Sequence, residues 1–228
     1  MINNRTNIQP PRSIDELMQR VSGIAGLTIS DLAHLVAVEV PDDLKRDKGF
    51  VGQLLELVLG STAGNKATPD FELLAVELKT VPLDHNNKPM ESTYVSVVPL
   101  KELHKHSWQQ SAVYAKLKHV LWMPIQAAAD IPLAQRKVGT GILWNPTNEL
   151  AAELKQDYEE FMEIIALGDV ESITAHQGKW LQIRPKAANN SALTNAVGPE
   201  GKMIKTLPRG FYLRPSFSRK ILAEYFGN

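Results

Sequence analysis

An acid, Asp70, stands seven positions before Glu77-Leu78-Lys79. Two carboxylates suit a hard, oxygen-preferring cation such as Mg²⁺, and a neighbouring ammonium can steady an anionic transition state or activate water. From Leu73 onward the residues alternate with period two, which predicts a β-strand. Leu74, Val76 and Leu78 then face one way, and Leu73, Ala75, Glu77 and Lys79 the other. Glu77 and Lys79 thus stand side by side. Asp70, placed just before the strand at a Thr68-Pro69 breaker, can reach the metal position that Glu77 faces. The same Glu-x-Lys spacing also occurs on ordinary strands as a solvated ion pair, so these ten residues do not decide the chemistry alone.

The preceding segment adds a third carboxylate. Phe50 to Leu59 reads as a helix that is apolar almost all round, except for the strip Gly49, Gln53, Glu56 and Gly60. A carboxylate on such a helix is costly to bury unpaired. Glu56 either faces the metal site or its lysine from the helix side, or is a surface glutamate on a narrow polar strip. A basic cluster, Lys45-Arg46-Asp47-Lys48, leads into this helix. His104 and His106 share a polar loop, but two histidines without further ligands are more often surface residues. The chain has no cysteine, which excludes disulfides, thiolate metal sites and a cysteine nucleophile. It has no GxGxxG or P-loop spacing and no defensible Ser-His-Asp order.

These residues need a scaffold, and 228 residues supply one sizeable core or two intimately packed lobes. No apolar run approaches the ~18 residues of a membrane span, and the N-terminus lacks a signal-like pattern, so a cytoplasmic protein is expected. Net charge is zero, but unevenly spread. From Lys179 onward nine Lys/Arg face two acids, Glu200 and Glu224; residues 1–178 hold the other sixteen bases and twenty-three acids. Such asymmetry fits a basic face for a polyanion, and equally an internal neutralisation between two lobes.

In chain order, Ser13-Ile14-Asp15-Glu16 has capping-box spacing and opens a helix to about Gly23; a second begins near Ser30. After the central strand, Asp84-His85-Asn86-Asn87 makes a turn, and a strand over 93–98 is expected to pair antiparallel with it. Residues 112–118 read as a helix whose Lys116 and Lys118 either meet phosphate or are solvated, and 119–125 as a buried strand. Residues 131–146 read as irregular. Residues 147–167 form a long amphipathic helix with Leu150, Leu154, Tyr158, Phe161 and Ile165 inside. Its expected outer face carries Glu149, Glu153, Asp157, Glu159, Glu160 and Glu163, a solvated face or a partner surface. A hairpin over 173–184, a short helix within 187–197 and a last helix from Ser218 to about Phe226 complete the reading.

Several blocks taken together, in this order, strongly resemble the MutH family, the strand-discriminating endonucleases of methyl-directed DNA mismatch repair. They are Leu44-Lys45-Arg46-Asp47-Lys48-Gly49, Leu54-Leu55-Glu56, Asp70-Phe71 with Val76-Glu77-Leu78-Lys79-Thr80, Lys116-Leu117-Lys118, and Val120-Leu121-Trp122. The order continues through Ile131-Pro132-Leu133-Ala134-Gln135-Arg136, Gln182-Ile183-Arg184-Pro185-Lys186-Ala187-Ala188-Asn189 and Leu207-Pro208-Arg209-Gly210-Phe211-Tyr212-Leu213. The Glu-x-Lys core is weakly specific by itself; the last two blocks are highly specific. Tyr94 stands where some relatives are expected to carry Phe, a departure that keeps the aromatic ring.

The resemblance implies a restriction-endonuclease-like α/β fold, a mixed sheet flanked by helices, in two lobes with a DNA-binding cleft between them. Residues of about 13–105 would form the catalytic lobe and about 106–228 the recognition and sensor lobe, either as separate lobes or sharing one interwoven core. Asp70, Glu77 and Glu56 would hold Mg²⁺, replaceable by Mn²⁺, with Ca²⁺ binding but not supporting cleavage, and Lys79 would act on the attacking water. Lys48 and Lys116 would contact phosphate. Arg184 can offer a fork to guanine O6/N7 worth ~1–3 kcal/mol of discrimination, and Tyr212 would sense adenine N6; Tyr94, Pro185 and Lys186 complete the DNA-binding set. Such enzymes nick the unmethylated strand 5′ of the G in GATC, act as monomers, and are activated by MutL, and indirectly by MutS. The competing classes are a dimeric restriction-type enzyme cutting both strands and a non-catalytic DNA-binding module.

Overall fold

The computed structural model describes residues 8–42, 49–64, 68–186 and 192–227. The basic cluster with Lys48 lies outside the described residues, as do Ala187, Ala188 and Asn189. The helices are α1 (Ile14–Ile24), α2 (Ile29–Leu35), α3 (Phe50–Leu59), α4 (Ala112–Leu117), α5 (Asn148–Ala166) and α6 (Pro215–Phe226). The strands are β1 (Glu77–Leu83), β2 (Thr93–Val97), β3 (Val120–Gln126), β4 (Ile142–Trp144), β5 (Leu181–Pro185), β6 (Thr194–Val197), β7 (Met203–Thr206) and β8 (Arg209–Leu213). The expected mixed α/β class is present. Among the described residues no helix is long and apolar enough to cross a membrane.

The chain divides into two compact units, one of Met1–Glu91, His119–Asn145 and Leu222–Asn228, the other of Ser92–Lys118 and Pro146–Ile221. A contiguous division at 105/106 does not describe these units. The physical reason is pairing: β3 lies parallel to β1, with Glu77 opposite Val120 and Lys79 opposite Trp122, and so returns residues 119–145 to the first unit.

In the first unit the sheet order is β1-β3-β4, with β4 antiparallel to β3. Ser13 caps α1 by accepting the Glu16 N–H at 3.1 Å, and Thr28 with Asp31 forms a reciprocal capping box on α2. Gly49 and Gly60 bracket α3 in left-handed conformations. A Cβ on Gly60 would lie 2.7 Å from the Gln9 carbonyl and 2.8 Å from Arg20 Nη1, so the closing position has room only for glycine. Leu17, Leu32, Leu54, Leu55, Val76 and Leu121 are fully buried in this unit's core, each worth roughly 1.5–3 kcal/mol.

In the second unit β8 lies between β2 and β5, antiparallel to both, and β6 pairs with β7. One face of the β2-β8-β5 sheet is core: Leu181, Ile183, Phe211 and Leu213 are buried, and Phe211 meets the rings of Tyr158 and Phe161 on α5. Helix α5 keeps its predicted inner stripe.

Several expectations fail here. The strand does not begin at Leu73: Glu72–Leu74 is a 3-10 turn, Ala75 has φ +52°, and only from Glu77 is the chain a strand. Strand β2 pairs with β8 rather than β1. The turn after β1 is real, with Asp84 N–H bonded to the Lys88 carbonyl at 3.0 Å, but only Pro89 and Met90 pair back on Leu83 and Pro82 before the chain leaves. No hairpin forms over 173–184, because β5 finds its partner in β8. Residues 194–197 are strand rather than helix, and 142–144 form β4 within the stretch read as irregular. Asp157, assigned to the outer face of the long helix, is buried at 4% exposure.

Candidate active site

Asp70 is fixed from both ends. Its carbonyl accepts hydrogen bonds from Ser61 Oγ (2.8 Å) and from the N–H groups of Thr62 and Ala63. Ser61 N–H in turn donates to the Glu56 carbonyl at the end of α3. Its carboxylate Oδ2 accepts the Leu78 N–H at 2.8 Å. Strand β1 is at the edge of its sheet, and Glu77 N–H is bonded toward β3, to the His119 carbonyl. The next N–H, that of Leu78, points away from the sheet, and Asp70 satisfies it.

The link between Asp70 and Glu77 is a tight loop. Phe71 and Val76 exchange main-chain hydrogen bonds of 2.9 and 3.3 Å around the 3-10 turn and the left-handed Ala75. A non-glycine residue at φ +52° carries a cost of about 1–2 kcal/mol, held in place by the Phe71–Val76 bridge. Leu73 at the tip of this turn is 76% exposed.

Glu77 and Lys79 face the same way, as the two-residue repeat predicts. Lys79 Nζ donates to Glu77 Oε1 at 2.6 Å, with the two residues only 8% and 2% exposed. Asp70 is 7% exposed. The structure thus brings Asp70, Glu77 and Lys79 together: Asp70 is bonded to the residue between the other two. Glu56 is half-buried on α3, which packs against β1. Among the described residues, no group of three or more acids, histidines or cysteines is placed to hold a metal. Two buried carboxylates still fit a divalent cation of the Mg²⁺ type, which takes one or two protein carboxylates and completes its shell with water and substrate phosphate.

The other predicted residues lie in the second unit. Lys116 is half-buried in the last turn of α4. Tyr94 and Tyr212 are directly paired across β2 and β8, their rings edge-on with centroids 5.3 Å apart. Tyr212 is half-buried between the buried Phe211 and Leu213, as strand alternation requires. Gln182 and Arg184 of β5 pair with Tyr212 and Gly210, which puts all four on the face opposite the core. Lys186 Nζ stands 3.5 Å from the centroid of Tyr94, and Arg184 Cζ 5.9 Å from that of Tyr212, cation–π contacts from two strand-end cations. Pro185 is exposed between them. Burial pushes the Lys186 ammonium below its usual pKa. Burial and the neighbouring Tyr94 raise the Tyr212 phenol, and Arg184 works against that rise.

Three positions that support these groups carry no signal in their residue types. Ser61 holds the Asp70 carbonyl. Ser92 Oγ accepts from Gln182 Nε2 at 2.7 Å and lies 3.4 Å from Arg184 Nη1. Gly210 lies under the tyrosines: a Cβ there would be 3.0 Å from a ring carbon of each. The Gly60 helix end just before Ser61 and the Pro-Arg-Gly-Phe-Tyr block around Gly210 are the only hints.

Comparison with known proteins identifies the family. Residues 59–157 match the family model described as DNA mismatch repair enzyme MutH. Proteins described as DNA mismatch repair protein MutH are similar over nearly the whole chain. The one from Shewanella woodyi is 50% identical over 222 residues, 97% of this chain and 96% of its own. That of Vibrio cholerae is 52% identical over 216 residues, 95% and 98%; that of Escherichia coli is 48% identical over 222 residues, 97% of each. With about half of its residues shared across almost its full length, the chain belongs to the MutH family of DNA mismatch repair enzymes.

Proposed function

We propose that this nuclease, whose mixed α/β fold is of the restriction-endonuclease-like kind, nicks the unmethylated strand 5′ of the G at hemimethylated GATC sites. It does so with Mg²⁺ in methyl-directed mismatch repair, as a monomer activated by MutL after MutS. The observation that carries the chemistry is the buried Glu77–Lys79 pair, with Asp70 bonded to the residue between them. A divalent cation held by Asp70 and Glu77, with Glu56 of α3 as the third carboxylate of the set, would neutralise charge on the phosphoryl and leaving oxygens. Lys79, an ammonium paired with Glu77, would orient the attacking water and offset the negative charge that builds as it attacks, and the buried walls around the three side chains limit competing water. Asp70 and Glu77 keep their carboxylates fixed before substrate arrives, Asp70 through its strand-edge hydrogen bond.

Recognition is assigned to the second unit. Arg184, exposed at the end of β5, presents its fork to a guanine edge, Tyr212 meets the adenine N6 position, and Tyr94, Pro185 and Lys186 contact the same DNA. Lys116 contacts phosphate, a role also given to Lys48 outside the described residues. Support for this reading is the single face that gathers Tyr94, Gln182, Arg184 and Tyr212, and the excess of basic residues after Lys179. The test is incubation of hemimethylated GATC plasmid with Mg²⁺, with and without MutL. Strand-specific nicking that MutL accelerates and EDTA abolishes is expected. Cleavage of both strands, or nicking that ignores GATC, overturns the assignment.

A further inference from the structure

We propose that Asp157 and Arg214 are positioning residues for DNA reading: a pair of opposite charges that clamps the lead into β5 and sets the strand register on which Arg184 and Tyr212 depend. This rests on the assignment of Arg184 and Tyr212 to recognition.

The segment from Ala175 to Trp180 has no regular structure, yet its main-chain groups are met by two side chains. Asp157, buried on α5, accepts the N–H of Lys179 on Oδ1 (2.7 Å) and those of Trp180 and Leu181 on Oδ2 (2.6 and 2.8 Å). Arg214, the residue after β8, donates from Nε to the Gly178 carbonyl (3.1 Å) and from Nη2 to the carbonyls of Ala175 and Gln177 (both 2.7 Å). Its own N–H reaches the Trp180 carbonyl at 2.9 Å. One turn earlier on α5, Glu153 accepts from Trp180 Nε1 and pairs with Lys179. Gly178 has φ +80°, and a Cβ there would lie 2.2 Å from the Leu181 carbonyl, so the path of this lead is narrowly set.

A carboxylate this buried is costly unless fully bonded, and three charge-assisted N–H bonds offset that cost. What they fix is the first residue of β5. Leu181 pairs with Leu213, the last residue of β8, so the clamp grips the two strands where they meet. Strand register has a period of two: a slip of one residue would carry Ile183 to the reading face and Arg184 to the core. Even a partial loosening matters, because a bidentate contact to a base edge tolerates displacements of only about 0.5 Å. Asp157 and Arg214 act through Arg184 and Tyr212.

Asp157→Asn keeps size but turns an NH₂ group toward main-chain donors, and Arg214→Lys keeps charge but loses the fork. The latter serves should the former not fold. The measurement is kcat and KM for nicking of a GATC duplex and of a duplex with one base pair of the site changed. It is made at one salt concentration and well below each variant's Tm, with Arg184→Ala as reference. Both clamp variants are expected to raise KM on GATC and lower the discrimination ratio by ~10-fold, while kcat at saturation stays within about threefold. If Arg184→Ala leaves the ratio intact, the recognition assignment falls and the clamp with it. If Arg184→Ala lowers the ratio but both clamp variants only lower Tm, or slow both duplexes alike, the clamp serves stability alone and the proposal is overturned.

Discussion

The carboxylate of Asp70 accepts the N–H of Leu78, the residue between Glu77 and Lys79, at 2.8 Å. One oxygen of this acid closes the free edge of β1, and the same group supplies negative charge beside Glu77. The two jobs are separable by substitution.

Asp70→Asn retains an acceptor for Leu78 and loses the charge; Asp70→Ala loses both. Nicking by each is expected to fall about 10³-fold, since a carboxylate ligand supports several kcal/mol of transition-state charge stabilisation. Only the alanine variant should also lose about 1–3 kcal/mol of stability, from the stranded N–H. DNA binding without metal is expected to persist in both, and to tighten slightly with one negative charge removed. Glu77→Ala should match Asp70→Asn in rate. Near-normal nicking by Asp70→Asn in Mg²⁺ would remove Asp70 from the site.

Lys79 holds Glu77 at 2.6 Å with both side chains buried. Removing one partner of a buried pair leaves an uncompensated charge, at a cost of about 3–5 kcal/mol. Lys79→Met is therefore expected to lose nicking and to melt at a lower temperature than the parent protein. A divalent cation would replace the missing positive charge, so added Mn²⁺ should raise the Tm of this variant more than that of the parent protein. Calorimetric melting with and without Mn²⁺ measures this; equal shifts in the two proteins would contradict a metal position at Glu77.

The Glu77–Lys79 pairing was legible because strand alternation is local: two residues apart means the same face. So were the Ser13 cap, the inner stripe of α5 and the outward turn of Tyr212. What was not legible depends on distant partners or on single dihedral angles. Leu73 to Val76 alternates like a strand, yet Ala75 sits at positive φ, which no residue type other than glycine or asparagine would suggest. The turn at Asp84 looks like a hairpin, but which strand β1 pairs with is decided by Val120 to Gln126, some forty residues on. Asp157 reads as one more acid on an acidic helix; only the folded chain shows three amides converging on it. Ser61, Ser92 and Gly210 support the sites through contacts, and contacts leave no mark on residue type.

Gly210 offers a way to disturb the tyrosine pair without touching it. Its backbone is ordinary strand, so alanine is conformationally allowed, but the new methyl would stand 3.0 Å from a ring carbon of Tyr94 and of Tyr212. The rings must move by a few tenths of an ångström, at an overpacking cost of about 1–3 kcal/mol. Gly210→Ala is expected to fold, with Tm lowered by several degrees, and to nick hemimethylated GATC about tenfold more slowly at subsaturating DNA. A variant with full activity would show that the ring positions are not critical.

In the function proposed above, strand choice would turn on one CH₃ at adenine N6, which changes shape and hydrogen bonding but not charge. A rigid ring with a polar tip suits such a test. Tyr212 is half-buried, flanked by core residues on its own strand, braced edge-on by Tyr94 and faced by Arg184. A braced ring cannot retreat from an added methyl, so the methylated base meets a steric cost; a serine in its place would leave room. Tyr212→Ser is therefore expected to let fully methylated sites be nicked more nearly like hemimethylated ones. Arg184→Ala should instead weaken cleavage and blur the site itself. The ratio of nicking rates on fully methylated and hemimethylated duplexes decides this, taken at one salt concentration because phosphate contacts make affinity salt-dependent. An unchanged ratio in Tyr212→Ser would pass the sensing role to Arg184 or to Lys186, whose ammonium lies over the Tyr94 ring.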